Sequence, residues 1–225
     1  MRRASRLRVF LGEDERYRGR PLYEAILLAA RDRGLAGATV FRGFMGYGPQ
    51  ADVSSAGILL LADNLPVVVD VVDEAERVES LLPFLRRSVG AGMVIRSEVY
   101  SEQVIPDEEP AEPGARDEAV PGDLGPAIRA RVYLRDSATF GGRPAHAEIA
   151  RSFSGVGDIS IHHGVMGFDK SSGMLSSRPL RFHPDLPIVV EAVGGREEIE
   201  AALPRVRRVL ERGLITLAGV ELRGS

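Results

Sequence analysis

Along the first hundred residues the apolar positions switch between two periods. Residues 6–12 alternate polar and apolar and predict a strand. Leu22, Ile26, Ala29 and Ala30 then recur at helical spacing, with Gly19-Arg-Pro21 opening that helix and Gly34 closing it. Gly37 to Phe44 reads as a second strand, and an apolar extended run spans Gly57–Ala62. Leu65 to Val72 is nearly continuous valine, the pattern of a central strand buried on both faces. Asp73-Glu-Ala-Glu76 places acidic residues where a helix begins. That helix is expected to reach Val89 with Leu81, Leu82 and Leu85 inward, before Gly90-Ala-Gly92 ends it and Met93–Tyr100 forms a last strand.

The order is β-α-β-β-α-β, the split βαβ or ferredoxin-like arrangement. After a break the same signals return. Arg131-Val-Tyr-Leu134 matches Arg8-Val-Phe-Leu11, and Gly142-Arg-Pro144 matches Gly19-Arg-Pro21. His163-Gly-Val-Met-Gly-Phe168 matches Arg42-Gly-Phe-Met-Gly-Tyr47, and Leu186-Pro-Ile-Val-Val-Glu191 matches Leu65-Pro-Val-Val-Val-Asp70. Two residues are lost near the end of the first helix of the second copy. The predicted fold class is α+β: two tandem ferredoxin-like (βαββαβ) units with antiparallel sheets, helices on one face of each. Domain boundaries fall at 1–100, 101–127 and 128–225.

Composition matters most in the middle segment. Residues 101–127 hold five prolines and eight acidic residues against one basic residue, which predicts an extended, disordered linker. The segment carries −7, leaving +4 on the remainder of a chain of net −3. That balance points to no nucleic-acid or membrane field. The absence of cysteine excludes disulfides and thiolate chemistry. No apolar run reaches the roughly 18 residues of a membrane span, and the protein is expected to be soluble and cytoplasmic.

The candidate chemistry lies where the second strand opens into glycines 43, 46 and 48, with Arg42 at the junction. Glycines let a ligand approach the backbone closely, and successive N–H groups can form an anion-binding concavity. Arg20, before a helix start, is a second candidate cation. A hairpin whose glycines serve only the turn is the alternative. No catalytic constellation is expected: there is no Gly-x-Ser-x-Gly elbow and no Gly-Lys-Ser phosphate loop. The four histidines (146, 162, 163, 183) all lie in copy two. His162 and His163 are adjacent on a strand, so they face opposite sides and cannot share a metal; no metal site is expected.

Gly19-Arg-Pro-Leu-Tyr23, Gly34-Leu-Ala-Gly-Ala-Thr-Val40, Arg42-Gly43, Gly46-Tyr-Gly48, Asn64-Leu-Pro66 and Val71-Val-Asp73 resemble the PII-like family catalogued as "domain of unknown function 190". The resemblance spans nearly all of copy one; copy two keeps the skeleton with fewer signature residues. It implies a ferredoxin-like subunit, a homotrimer, and a long loop between the second and third strands, here about Gly46–Ser55 and Gly167–Ser177. Classical PII proteins bind adenine nucleotides in intersubunit clefts near that loop. By analogy, a regulatory adenine nucleotide or other small anion would sit by Arg42, Gly43, Gly46, Tyr47, Gly48 and Arg20. The ordered loop would then act on a partner protein such as a membrane transporter. A structural or adaptor oligomer without a ligand is the other function class. Copy two has His163 for Arg42 and Asp169 for Gly48, so the first copy is expected to hold the better anion site.

Overall fold

The computed structural model describes residues 1–47, 53–55, 64–105, 119–169, 174–176 and 185–222, with side chains of 46, 47, 53–55 and 176 outside the description. Copy one runs β1 (Arg2–Gly12), a short ladder of β2 (Arg16–Tyr17) and β3 (Arg20–Pro21), and α1 (Leu22–Asp32). It continues with β4 (Gly37–Arg42), a hairpin of β5 (Met45–Tyr47) and β6 (Val53–Ser55), β7 (Pro66–Asp73), α2 (Ala75–Ser88) and β8 (Met93–Val104). Copy two repeats the order: β9 (Ala127–Arg135), β10 (Thr139–Phe140), β11 (Arg143–Pro144), α3 (Ala145–Ser152), β12 (Asp158–His163), β13 (Met166–Asp169), β14 (Leu175–Ser176), β15 (Pro187–Gly195), α4 (Arg196–Val209) and β16 (Gly213–Gly219).

The chain divides into two compact units that are not contiguous halves. One comprises Ser5–Ser97 with Gly164–Pro184; the other comprises Met1–Ala4, Glu98–His163 and Asp185–Ser225. In the first, the strands lie in the order β8-β1-β7-β4-β13-β14. The four that belong to copy one follow the ferredoxin-like sequence: fourth, first, third, second. Copy two's β13 extends the edge, pairing antiparallel with β4 from Met166 opposite Val40 to Asp169 opposite Gly37. Gly37 permits this approach, because a Cβ there would stand 2.9 Å from the Phe168 carbonyl oxygen. The other unit has the order β12-β15-β9-β16-β8, which read from β16 back to β12 is again fourth-first-third-second in copy two, with the later part of β8 added beside β16.

Both helices of the first unit cover one sheet face. Leu22, Ile26 and Ala29 of α1 and Val78, Leu81 and Leu85 of α2 are buried in one cluster with Leu7, Val9, Leu11, Val67, Val69 and Val71. Alternation along a strand puts these β positions on a single face, and each fully buried Val or Leu contributes about 1.5–3 kcal/mol. In the other unit Ile149, Ile199, Leu203 and Val206 pack in the same way on Ile128, Val132, Ile188 and Val190. The expected ferredoxin-like units with helices on one face are therefore present. The lost residues shorten α3 to 8 residues against 11 in α1. Gly34 and Gly155 occupy the same repeat position at φ +72° and +95°, where glycine is the residue without strain.

Several boundaries differ from the sequence reading. The second strand stops at Arg42 instead of Phe44, because Pro66, opposite Gly43, has no N–H to return the bond that Gly43 donates to its carbonyl. Pro21 is the N-cap of α1 and sits on β3, so Arg20 belongs to a strand ladder and not to the helix's first turn. The last strand of copy one runs on to Val104, where Gly213–Leu217 of β16 supply hydrogen-bonding partners for Tyr100–Val104. The acidic segment is thus anchored at its start. It is anchored at its end too: Val120 is buried, Arg196 donates to the carbonyls of Val120 and Pro121, and Asp123 accepts from Tyr100 and Arg3. Residues 106–118, the extended run Gly57–Ala62 and His183 lie outside the described residues.

On the helix-free face, both copies place an ion pair at the same register position. Arg8 lies opposite Asp70 in the β1–β7 ladder, and Arg131 lies opposite Glu191 in β9–β15. Arg6 adds two hydrogen bonds to Asp70, at 2.8 and 2.7 Å, while Arg8 Nε stands 3.6 Å from the same carboxylate. Arg131 donates to Glu191 directly. The Asp70 side chain is fully enclosed and Arg6 is nearly so, at 0% and 4% exposure. A carboxylate so placed must keep its partner, since an unpaired buried charge costs several kcal/mol.

Candidate ligand site

Of the predicted site residues, Arg42 and Gly43 stand at the end of β4. Arg42 leaves the sheet there and sends both Nε (2.9 Å) and Nη2 (2.7 Å) to Oε2 of Glu13, in the turn after β1. Glu13 is held in place by its own backbone, whose N–H donates to the Leu65 carbonyl. One carboxylate oxygen thus occupies the guanidinium fork, as an oxygen of a bound anion would. The pair is open, with 43% of the Arg42 side chain and 28% of Glu13 exposed. An ion pair with that much water contact contributes about 0–1 kcal/mol.

The glycines divide by role. Gly43 is required by packing: its N–H is already bound to Pro66 O at 2.8 Å, and a Cβ would stand 2.8 Å from Pro66 Cγ. Its amide is therefore engaged in this structure. Gly46 lies in β5 opposite Ser54, and Tyr47 lies opposite Val53. The Tyr47 ring and Gly48 are outside the described residues. Arg20 is exposed on β3, opposite Tyr17, where it does not join the Arg42–Glu13 pair. Next to the pair, Phe44 and Met45 are 76% and 56% exposed, an apolar step between the cation and the hairpin.

Tyr23 is a residue that the reading of site candidates missed. Partial burial raises its phenol above the ordinary value; the charges of Glu24 and Glu13 add to that, and Arg16 and Arg42 oppose it. Tyr23 therefore stands in the field of the same pair. The signal was present in the Gly19-Arg-Pro-Leu-Tyr23 motif, but only the fold brings this helix residue into the field of Glu13 and Arg42.

Copy two fills the same repeat positions differently. Asp136 stands for Glu13, His146 for Tyr23 and His163 for Arg42. The backbone frame is kept, with Asp136 N–H donating to Leu186 O. His163 meets His146 edge to face, ring centroids 6.4 Å apart. His162 indeed lies away from His163 along the strand alternation and shares a 2.9 Å hydrogen bond with Ser160. The His146–His163 pairing was not anticipated, since it joins a helix start to a strand end.

Fold and site together define a tandem ferredoxin-like protein with a cation–carboxylate pair at the base of a strand-to-strand hairpin in its first copy. The profile of the family DUF190, described as "Uncharacterized ACR, COG1993", matches residues 4–101 and again 127–222. The chain belongs to that family, as a tandem of two members. A "UPF0166 protein" of Aquifex aeolicus (strain VF5) is 43% identical over 76 residues, covering 34% of this chain and 72% of that protein. "UPF0166 protein MJ1524" of Methanocaldococcus jannaschii is 32% identical over 101 residues, covering 44% of this chain and 93% of the relative. Among solved structures, the ligand-free regulatory subunit of aspartate kinase from Thermus thermophilus aligns over 92% of this chain and 93% of its own, at 15% identity and a TM-score of 0.35. No helix among the described residues is long and apolar enough to cross a membrane.

Proposed function

We propose that this protein is a PII-like regulatory module that acts by binding and not by catalysis, taking a small anion such as an adenine nucleotide at the end of β4 in copy one. The observation that supports this reading is the Arg42–Glu13 pair. A half-exposed guanidinium held by a single carboxylate oxygen is a cation with an exchangeable occupant. A phosphate oxygen can replace Glu13 at little cost, because the exposed pair is worth so little in water. The displaced contact lies where Gly43 leads into the β5–β6 hairpin, so occupancy there would be passed to the hairpin that a partner protein contacts. Homotrimeric assembly with the ligand in an intersubunit cleft is part of the same proposal, with a membrane transporter as one partner of the expected kind.

A panel of adenine nucleotides in a thermal-shift assay tests it. A ligand at about 100 times its Kd adds about 2.7 kcal/mol of stability. Arg42→Ala is expected to weaken binding by about 1.5–3 kcal/mol, the range for a hydrogen bond to a charged group, with the fold unchanged by circular dichroism. Glu13→Gln, which removes the competing charge, is expected to tighten it. Unchanged affinity in a folded Arg42→Ala protein would place the site elsewhere. The second reading, an adaptor oligomer without a ligand, is favoured by the exposure of Phe44 and Met45. It predicts no shift with any nucleotide and partner capture that depends on those two side chains.

A further inference from the structure

The four histidines lie in copy two, and the fold brings two of them together where copy one has none. His146 enters from the start of α3 and His163 from the last position of β12. Their ring centroids are 6.4 Å apart with planes at 69°. The Nδ1 atom of His146 is buried and has no hydrogen-bond partner, an arrangement that costs free energy unless something meets the nitrogen. The equivalent positions of copy one carry Tyr23 and Arg42, neither of which is an ordinary ligand for a borderline metal. Both positions carry imidazole in copy two, and the shorter, exposed Asp136 stands where copy one has Glu13.

We propose that His146 and His163 bind a divalent transition metal, Zn(II) or Cu(II), on copy two. Imidazole suits both ions. A metal about 2.1 Å from each ring nitrogen separates the two centroids by roughly 5–6.5 Å, depending on the angle at the metal. The observed spacing stands at the long end of that span, the trans arrangement that a tetragonal Cu(II) site accepts, and a tetrahedral Zn(II) site needs the rings to close by about 1 Å. Among the described residues no group of three or more His, Asp or Glu stands together. The protein therefore supplies two ligands and water fills the rest, which makes the site open and its affinity moderate.

The full chain is titrated with Zn(II) by calorimetry and with Cu(II) by electron paramagnetic resonance. His146→Tyr and His163→Arg each install the residue that copy one tolerates at that position, and circular dichroism checks the fold. The expected result is one ion per chain, with affinity reduced about tenfold or more in each variant and the nitrogen hyperfine pattern of Cu(II) simplified to a single imidazole. His162→Ala, on the other side of the strand, leaves affinity unchanged. Absence of saturable binding would overturn the proposal. So would wild-type affinity in both folded variants, or a loss on His162→Ala as large as the one expected of them. None of these results bears on nucleotide binding at Arg42, so the two sites fail or stand separately.

Discussion

The end of β4 in copy one and the end of β12 in copy two share a backbone and differ in chemistry. In each, a strand closes beside the turn that follows the first strand, and the backbone of that turn is pinned to the residue before a proline: Glu13 N–H to Leu65 O, Asp136 N–H to Leu186 O. On this common frame copy one places a permanently charged guanidinium and a carboxylate, while copy two places two imidazoles. Duplication kept the groups that hold the frame and changed the groups that meet solvent. The frame depends on packing between elements, which tolerates few substitutions; the three exposed or half-exposed positions do not carry that constraint. A tandem chain can therefore hold two different sets of side-chain chemistry on one fold.

The comparison can be broken hardest at the charges beneath the sheets. Asp70→Asn removes the buried carboxylate charge that takes two hydrogen bonds from Arg6, and a broken buried pair costs about 3–5 kcal/mol. Glu191→Gln at the equivalent position should cost less, because Glu191 is 18% exposed where Asp70 is closed off. Urea unfolding of the two variants measures the difference, and equal losses would show that the two frames are energetically alike.

A second test compares leucines at one repeat position. Leu203 is 1% exposed, whereas Leu82 is only partly buried against its cluster. Leu203→Ala is expected to cost about 2–5 kcal/mol, the range for truncation in a core, and Leu82→Ala clearly less. The smallest expected effect concerns Tyr23. Its phenol is raised by partial burial, so the neutral form is favoured in the folded protein. The contribution is fully present below the unfolded phenol value of about 10 and is lost as pH rises through the higher folded value. Tyr23→Phe should flatten that alkaline loss of stability in a pH series of melting curves.

Read residue by residue, the sequence already contained the repeat. Leu65–Val72 has the nearly continuous apolar pattern of a central strand, Leu22, Ile26 and Ala29 have helical spacing, and Gly34 ends their helix. These signals are local: side-chain period and backbone freedom act within a few residues and need no partner. The family followed from the same short motifs. Arg42 was legible as a cation at a strand end, because charge and glycine spacing are written in the chain. Its occupant was not, since Glu13 lies 29 positions away. Likewise nothing local joined His146 to His163, assigned Met166–Asp169 of copy two to the edge strand of copy one's sheet, or carried β8 on to Val104. Each of these depends on which strand edges and helix ends meet once the sheets are packed. Hydrogen bonds across a ladder and contacts between rings join residues that are remote in the chain, and only the tertiary structure decides which ones meet.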